Sequence, residues 1–167
     1  AYGAERFKGG DVKGAAEALR RRERLTLRGH YRTGAQILDA LSRLMPAPDH
    51  AAGYDARLAH QRAFRQAAMG LIVQIKSGRV ALEGAQEIGF LKTLYPEFEG
   101  PFFLPLVEVQ ALTGAWGTYK QGVMLPVLGH KLHPFYGTYV PTRQTHLELF
   151  GTWLSQYTGD TGRAVDV

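Results

Sequence analysis

Four arginines, Arg20, Arg24, Arg28 and Arg32, recur at every fourth position. On one continuous helix, residues four apart drift by only about 40°, so at least the first three would share a face, with Arg21 beside them. A guanidinium row of that kind grips phosphates through paired N–H donors or meets an acidic protein surface. Tyr31, at the turn before Arg32, adds a ring on which a base can stack. The plainer reading is a solvated helix face whose long stems cover apolar neighbours. Charge is distributed in favour of contact. Residues 1–45 hold ten Lys/Arg against five Asp/Glu, residues 46–100 six against six, and residues 101–167 four against four. The formal charge of +5 therefore lies wholly in the first quarter, the footprint expected for RNA or an acidic partner.

Other chemistries find little to stand on. The six histidines, at 30, 50, 60, 130, 133 and 146, show no H-x-x-x-H or HExxH spacing, and no cysteine is present to complete a zinc site. His130 and His133 fall in a stretch that reads as strand, where residues three apart point to opposite faces. There is no G-x-S-x-G, no P-loop and no cysteine nucleophile, so no complete catalytic set is visible.

A chain of 167 residues at 45% hydrophobic is long enough for one ordinary core or two small ones. No apolar run approaches the length of a membrane span, and no signal-like stretch follows a basic start. A cytoplasmic protein without membrane contact is expected. Ala1 in place of Met reads as the start of a piece of a longer reading frame.

The periodicity predicts helices first. Asp11 suits an N-cap, with Val12, Ala15, Ala16 and Leu19 on one face and Gly29 as the stop. A second helix is expected over 31–45, with Ile37, Leu38, Leu41, Leu44 and Met45 inward. A third spans 55–76 on Leu58, Phe64, Ala68, Leu71 and Ile75, and a fourth 80–95 on Ala85, Ile88, Leu91 and Tyr95, closed by Pro96. Residues 1–98 are thus expected to be a helical bundle in a mainly α protein. Prolines and glycines then multiply. Pro126 within Gly122-Val-Met-Leu-Pro-Val-Leu128 argues for an edge strand or bulge, and Gly129-His130 for a tight turn, so 99–141 reads as a β-hairpin linker. Leu147, Phe150, Trp153, Leu154 and Tyr157 return at helical spacing, entered through Thr142, with Thr145-x-x-Glu148 patterned as a capping box. Arg163-Ala164-Val165-Asp166-Val167 reads as a buried strand, making 142–167 the first helix and strand of a Rossmann-like domain.

A helix leading into a hydrophobic-Asp-hydrophobic strand is the layout that precedes a glycine-rich cofactor loop. Over 133–167 the sequence resembles class I S-adenosylmethionine-dependent methyltransferases, in particular the HemK/PrmC-like group that modifies protein glutamine. Phe135-Tyr136-Gly137 is similar to the Phe-Tyr-Gly stretch of that group's linking hairpin. Pro141-Thr142-Arg143-Gln144-Thr145-His146 is a loose version of its Pro-Arg-Pro-Glu-Thr-Glu helix start, with Gln144 in place of an acidic residue. Val165-Asp166-Val167 is similar to the strand end before its Gly-x-Gly-x-Gly loop.

The resemblance implies a helical domain that recognises the acceptor, a hairpin linker, and a catalytic domain that continues past Val167, where the Asn-Pro-Pro-Tyr catalytic motif would lie. It implies S-adenosylmethionine as cofactor, with Tyr136, Thr142, Arg143, Thr145 and Asp166 on the cofactor side. Arg20, Arg24, Arg28, Arg32 and Tyr31 would then meet the acceptor, whether protein, RNA or small molecule. No catalytic residue and no metal ligand falls in residues 1–167, which are expected to be inactive alone. The alternative is a free-standing basic helical adaptor that binds RNA or an acidic protein without catalysis, in which Val-Asp-Val closes a small α+β domain.

Overall fold

Asp11 does what its position predicts: its carboxylate accepts the Gly14 N–H at 2.7 Å and opens α1 (Val12–Arg20), which buries Ala15, Ala16, Ala18 and Leu19. The helix does not run on to Gly29. Glu23 N–H donates to the Ala18 carbonyl at 3.0 Å and Arg22 N–H to the Leu19 carbonyl at 2.8 Å, the bond pair of a Schellman close. The residue in the left-handed position of that close, where glycine is usual, is Arg22, at φ 66°. A side chain there costs about 1 kcal/mol or more.

The computed structural model describes residues 5–7, 10–49, 51–98, 100–139, 145–159 and 162. They form two compact units, 1–116 and 117–167. In the first, β1 (Glu5–Phe7), α1, β2 (Leu25–Leu27), α2 (Tyr31–Leu44), α3 (Tyr54–Ala68), β3 (Leu71–Lys76), β4 (Arg79–Val80), α4 (Leu91–Leu94) and β5 (Phe102–Pro105) follow in order. α5 (Leu106–Gln121) spans the boundary between the units. β6 (Val123–Leu125), a 3-10 turn over Pro126–Leu128, β7 (His130–Leu132) and α6 (Thr145–Gln156) belong to the second.

The expected helical bundle is corrected to a mixed α/β unit around a five-stranded sheet. β1, β2 and β3 are parallel, while β4 and β5 run antiparallel to β3. Ile72 pairs with both Thr26 and Pro105, and Ile75 with both Val80 and Phe102. A strand has two edges, so β5 holds one edge of β3 while β2 and β4 share the other. α1 packs along α2, as right-handed crossovers stepping one way across a sheet require.

The third expected helix ends at Ala68, and its last predicted turns are β3. Leu71 and Ile75 are four apart, a spacing that fits one helix face and one strand face equally. Burial decides for strand: Leu71, Val73 and Ile75 are inaccessible, whereas Ile72 and Gln74 are half-buried. The fourth expected helix shrinks to Leu91–Leu94. The second holds, over Tyr31–Leu44, with Ile37, Leu38 and Leu41 buried.

Helix α5 falls where only a hairpin linker is expected. Val107, Val109, Thr113, Gly114, Gly117 and Thr118 are poor helix formers. Tertiary burial outweighs them: Leu106, Val109 and Leu112 are buried one turn apart. A Cβ on Gly34 of α2 would stand 2.4 Å from Leu106 Cδ2 and 2.5 Å from Leu27 Cδ2, so that glycine lets α2, β2 and α5 meet. Among the described residues no helix is long and apolar enough to cross a membrane.

Candidate cofactor and substrate site

The hairpin predicted around Gly129 forms. Val123, Met124 and Leu125 pair with Leu132, Lys131 and His130. Pro126 lies in neither strand. It begins the 3-10 turn, where its missing N–H costs nothing, and Gly129 ends that turn at φ 68°. Gly122, at φ 70°, leads the chain out of α5, and a Cβ on it would press on the His133 ring at 3.0 Å.

The Phe-Tyr-Gly stretch is a turn. Thr138 N–H donates to the Phe135 carbonyl at 3.0 Å, and Gly137 takes φ 84° at the third position, the demand of a type II turn. Tyr136 is half-buried. Tyr119 sets its ring edge-to-face against His133 and Phe135, with centroids 6.0 and 6.5 Å away. His133 Nδ1 reaches the Tyr119 carbonyl oxygen. A carbonyl only accepts, so Nδ1 carries the proton, and Nε2 is the acceptor nitrogen of the neutral ring. Val123, Leu125, Leu132, His133, Thr138 and Tyr139 bound a groove of about 340 Å³ beside this cluster. Sequence reasoning marked the hairpin but not the groove, whose one legible signal was the density of aromatics and prolines.

The expected helix forms as α6 over Thr145–Gln156 and buries no side chain, while its expected entry through Thr142 lies outside the described residues. Leu149 is 67% exposed, Phe150 58%, Trp153 53% and Leu154 52%. Phe150 and Trp153 stack on each other at 5.7 Å, and Trp153 lies tilted against Tyr157 at 4.9 Å. Leu125 is the sole member of the buried hydrophobic set drawn from 117–167 among the described residues. Thr142, Arg143 and Asp166, with the expected strand over 163–167, lie outside the described residues. Of the cofactor-side candidates, Tyr136 and Thr145 are described, and Thr145 is exposed.

The arginine row is corrected, because no continuous helix carries it. Arg20 ends α1, Arg24 precedes β2, Arg28 follows β2, and Arg32 lies in the first turn of α2. An extended segment separates Arg24 from Arg28 by about 13 Å, so the row divides between opposite ends of β2. Arg21 Nε pairs with Glu23 at 2.7 Å. At the other end of β2, His30 faces Glu83 at 3.4 Å. Tyr31 is no open stacking platform: its side chain hydrogen-bonds Gln110 and Thr113 of α5, and burial raises its phenol pKa above the usual value against the opposing pull of those bonds.

Other hollows lack convergent chemistry. One, about 540 Å³, lies by the α2–α3 loop and is lined by Ala47, Pro48, Tyr54, Arg57 and His60 among others. Another, about 360 Å³, lies beside Lys92, Tyr95, Phe98 and Phe102. Tyr95 is held above the usual phenol pKa by burial first and then by Glu108 and Glu97. Among the described residues no group of three His, Cys, Asp or Glu side chains gathers to hold a metal ion. No protein-family model, no curated protein and no solved structure matches the chain.

Proposed function

We propose that residues 1–167 are the N-terminal recognition and linker part of a methyltransferase that uses S-adenosylmethionine, acting on a protein, RNA or small-molecule acceptor. The observation that carries the reading is the state of 117–167: a hairpin followed by a helix that buries none of its side chains and exposes Leu149, Phe150, Trp153 and Leu154. A helix with Leu149, Phe150, Trp153 and Leu154 exposed is one half of a layer, and the missing half is an apolar sheet face. That is what the resemblance over 133–167 implies, with α6 as the first helix of a catalytic domain whose sheet continues after it.

The groove along the hairpin supports the same reading. Its volume, about 340 Å³, lies near the lower limit of ligand pockets, and its lining is mostly apolar, with His133 and Thr138 as polar points. That suits one wall of a site completed by another domain. The cofactor supplies a methyl group on a sulfonium. Catalysis then rests on holding acceptor and methyl donor in line and dry, for which positioning alone is worth several orders of magnitude. In this reading Tyr136 and the hairpin contribute shape and water exclusion, and the first unit presents the acceptor.

Titration calorimetry with S-adenosylmethionine on 1–167, and on the chain extended through the domain that follows, tests the reading. Binding no tighter than millimolar by 1–167 and micromolar by the longer chain is expected, a gap of about 4 kcal/mol. Micromolar binding by 1–167 alone would mean a complete site elsewhere. No binding by the longer chain would end the methyltransferase reading.

A further inference from the structure

Arg22 occupies the left-handed position of the α1 close, at φ 66°, where a glycine would be relaxed. The backbone gains nothing from an arginine there, so the side chain is the feature to explain. Its neighbours are of one kind. Arg20, Arg21, Arg22 and Arg24 are all exposed on one five-residue turn, interrupted only by Glu23, which pairs with Arg21. α3 ends against the same turn: Leu25 N–H donates to the Gly70 carbonyl at 2.9 Å, and a Cβ on Gly70 would stand 2.7 Å from the Glu23 carbonyl oxygen. The last turn of α3 therefore brings the exposed Arg65 to the same end of the sheet. Two helix C-termini converge there, and a basic residue in each last turn, Arg20 and Arg65, is enough to complement their dipoles. Arg22 lies beyond the helix and is surplus to that need.

We propose that the α1–β2 turn, with the last turn of α3, is a contact surface for the phosphate backbone of a nucleic acid. All its cations are guanidiniums, whose planar forks match phosphate oxygens in pairs. Protein interfaces have charge-poor cores with aromatic anchors, whereas nucleic-acid interfaces are polar and strongly positive. This turn has no exposed aromatic, and Met69, 46% exposed, is the large apolar side chain nearest in sequence to the α3 end. The surface differs from the row Arg20, Arg24, Arg28, Arg32 expected from sequence, because Arg28 and Arg32 lie at the other end of β2 and Arg22 and Arg65 replace them. It is independent of the methyltransferase reading, since backbone binding needs no cofactor.

The test uses residues 1–167 with labelled poly(U) at several salt concentrations, alongside polyglutamate as an acidic-protein mimic. Arg22→Gly should raise Tm by about 2–4 °C while lowering the slope of log K against log salt by about 0.7. Arg22→Lys should keep the slope. Arg57→Gln, at the other end of α3, should leave it unchanged. A cooler melting point for Arg22→Gly, or an unchanged slope, overturns the proposal. So does a slope that falls as far in Arg57→Gln, which would mean diffuse attraction by net charge. Polyglutamate binding without poly(U) binding would assign the surface to an acidic protein instead, and binding of neither would leave the arginines solvated and the proposal wrong.

Discussion

Single residues in this chain are decided by the space and solvent around them. Gly34 is a contact point between α2, β2 and α5, and a methyl group there meets Leu106 and Leu27 side-chain carbons well inside van der Waals distance. Gly34→Ala should lower stability by about 1–3 kcal/mol in denaturant unfolding, the usual range for overpacking. A neutral result would mean the two leucines move apart freely. The two tyrosines with raised phenol pKa act at the alkaline end. Burial is the larger cause for both, and Glu108 and Glu97 add to it at Tyr95. A phenol that ionises later in the folded than in the unfolded chain holds more protons when folded, so stability is full below about pH 10 and falls above it. Tyr95→Phe should make that alkaline fall shallower, as read from urea midpoints between pH 9 and 11 on the scale where free tyrosine titrates. A steeper fall would reverse the assigned cause.

Elements differ in whether they bury their apolar side chains. α5 buries Leu106, Val109 and Leu112, so it is core despite its glycines and β-branched residues. Leu112→Ala should cost about 2–5 kcal/mol, the range for truncating a buried leucine. α6 is the opposite case, with larger apolar side chains and none buried. Replacing Phe150 and Trp153 together by glutamine should change stability by no more than about 0.5 kcal/mol per site while reducing concentration-dependent association in sedimentation velocity. A large loss of stability in that pair would show that the face is covered within the chain itself.

Across the whole molecule, protection should follow the sheet. β3 is the longest described strand, paired along both edges and buried on one face, so its amides should open only with global unfolding of the first unit. Hydrogen exchange read by mass spectrometry should be slowest over 71–75 and fast over α6, which buries none of its described side chains. Equal protection of α6 and β3 in the monomer would contradict the reading of α6 as one half of a layer. The charge distribution belongs to this scale too. The excess of the first quarter becomes a defined patch only where two helix ends and a strand start meet.

Local chemistry was legible in the sequence. The Asp11 cap, the helix over 31–44, the hairpin around Gly129 and the amphipathic helix from Thr145 each depend on residues within a few positions of one another, and each forms. The sheet was not legible. Leu25–Leu27 and Leu71–Lys76 are short apolar runs whose spacing also satisfies a helix, and pairing with distant partners decides their state. α5 was missed for the converse reason: its local propensity is poor, and burial of Leu106, Val109 and Leu112 outweighs it. The arginines give the sharpest separation. Their number and concentration are properties of the sequence, but a four-residue spacing makes one face only on an unbroken helix. The tertiary structure ends α1 at Arg20, puts Arg22 in a conformation glycine prefers, and sends Arg28 to the far end of a strand. Long-range strand pairing, which no local pattern encodes, therefore determined which charges share a surface.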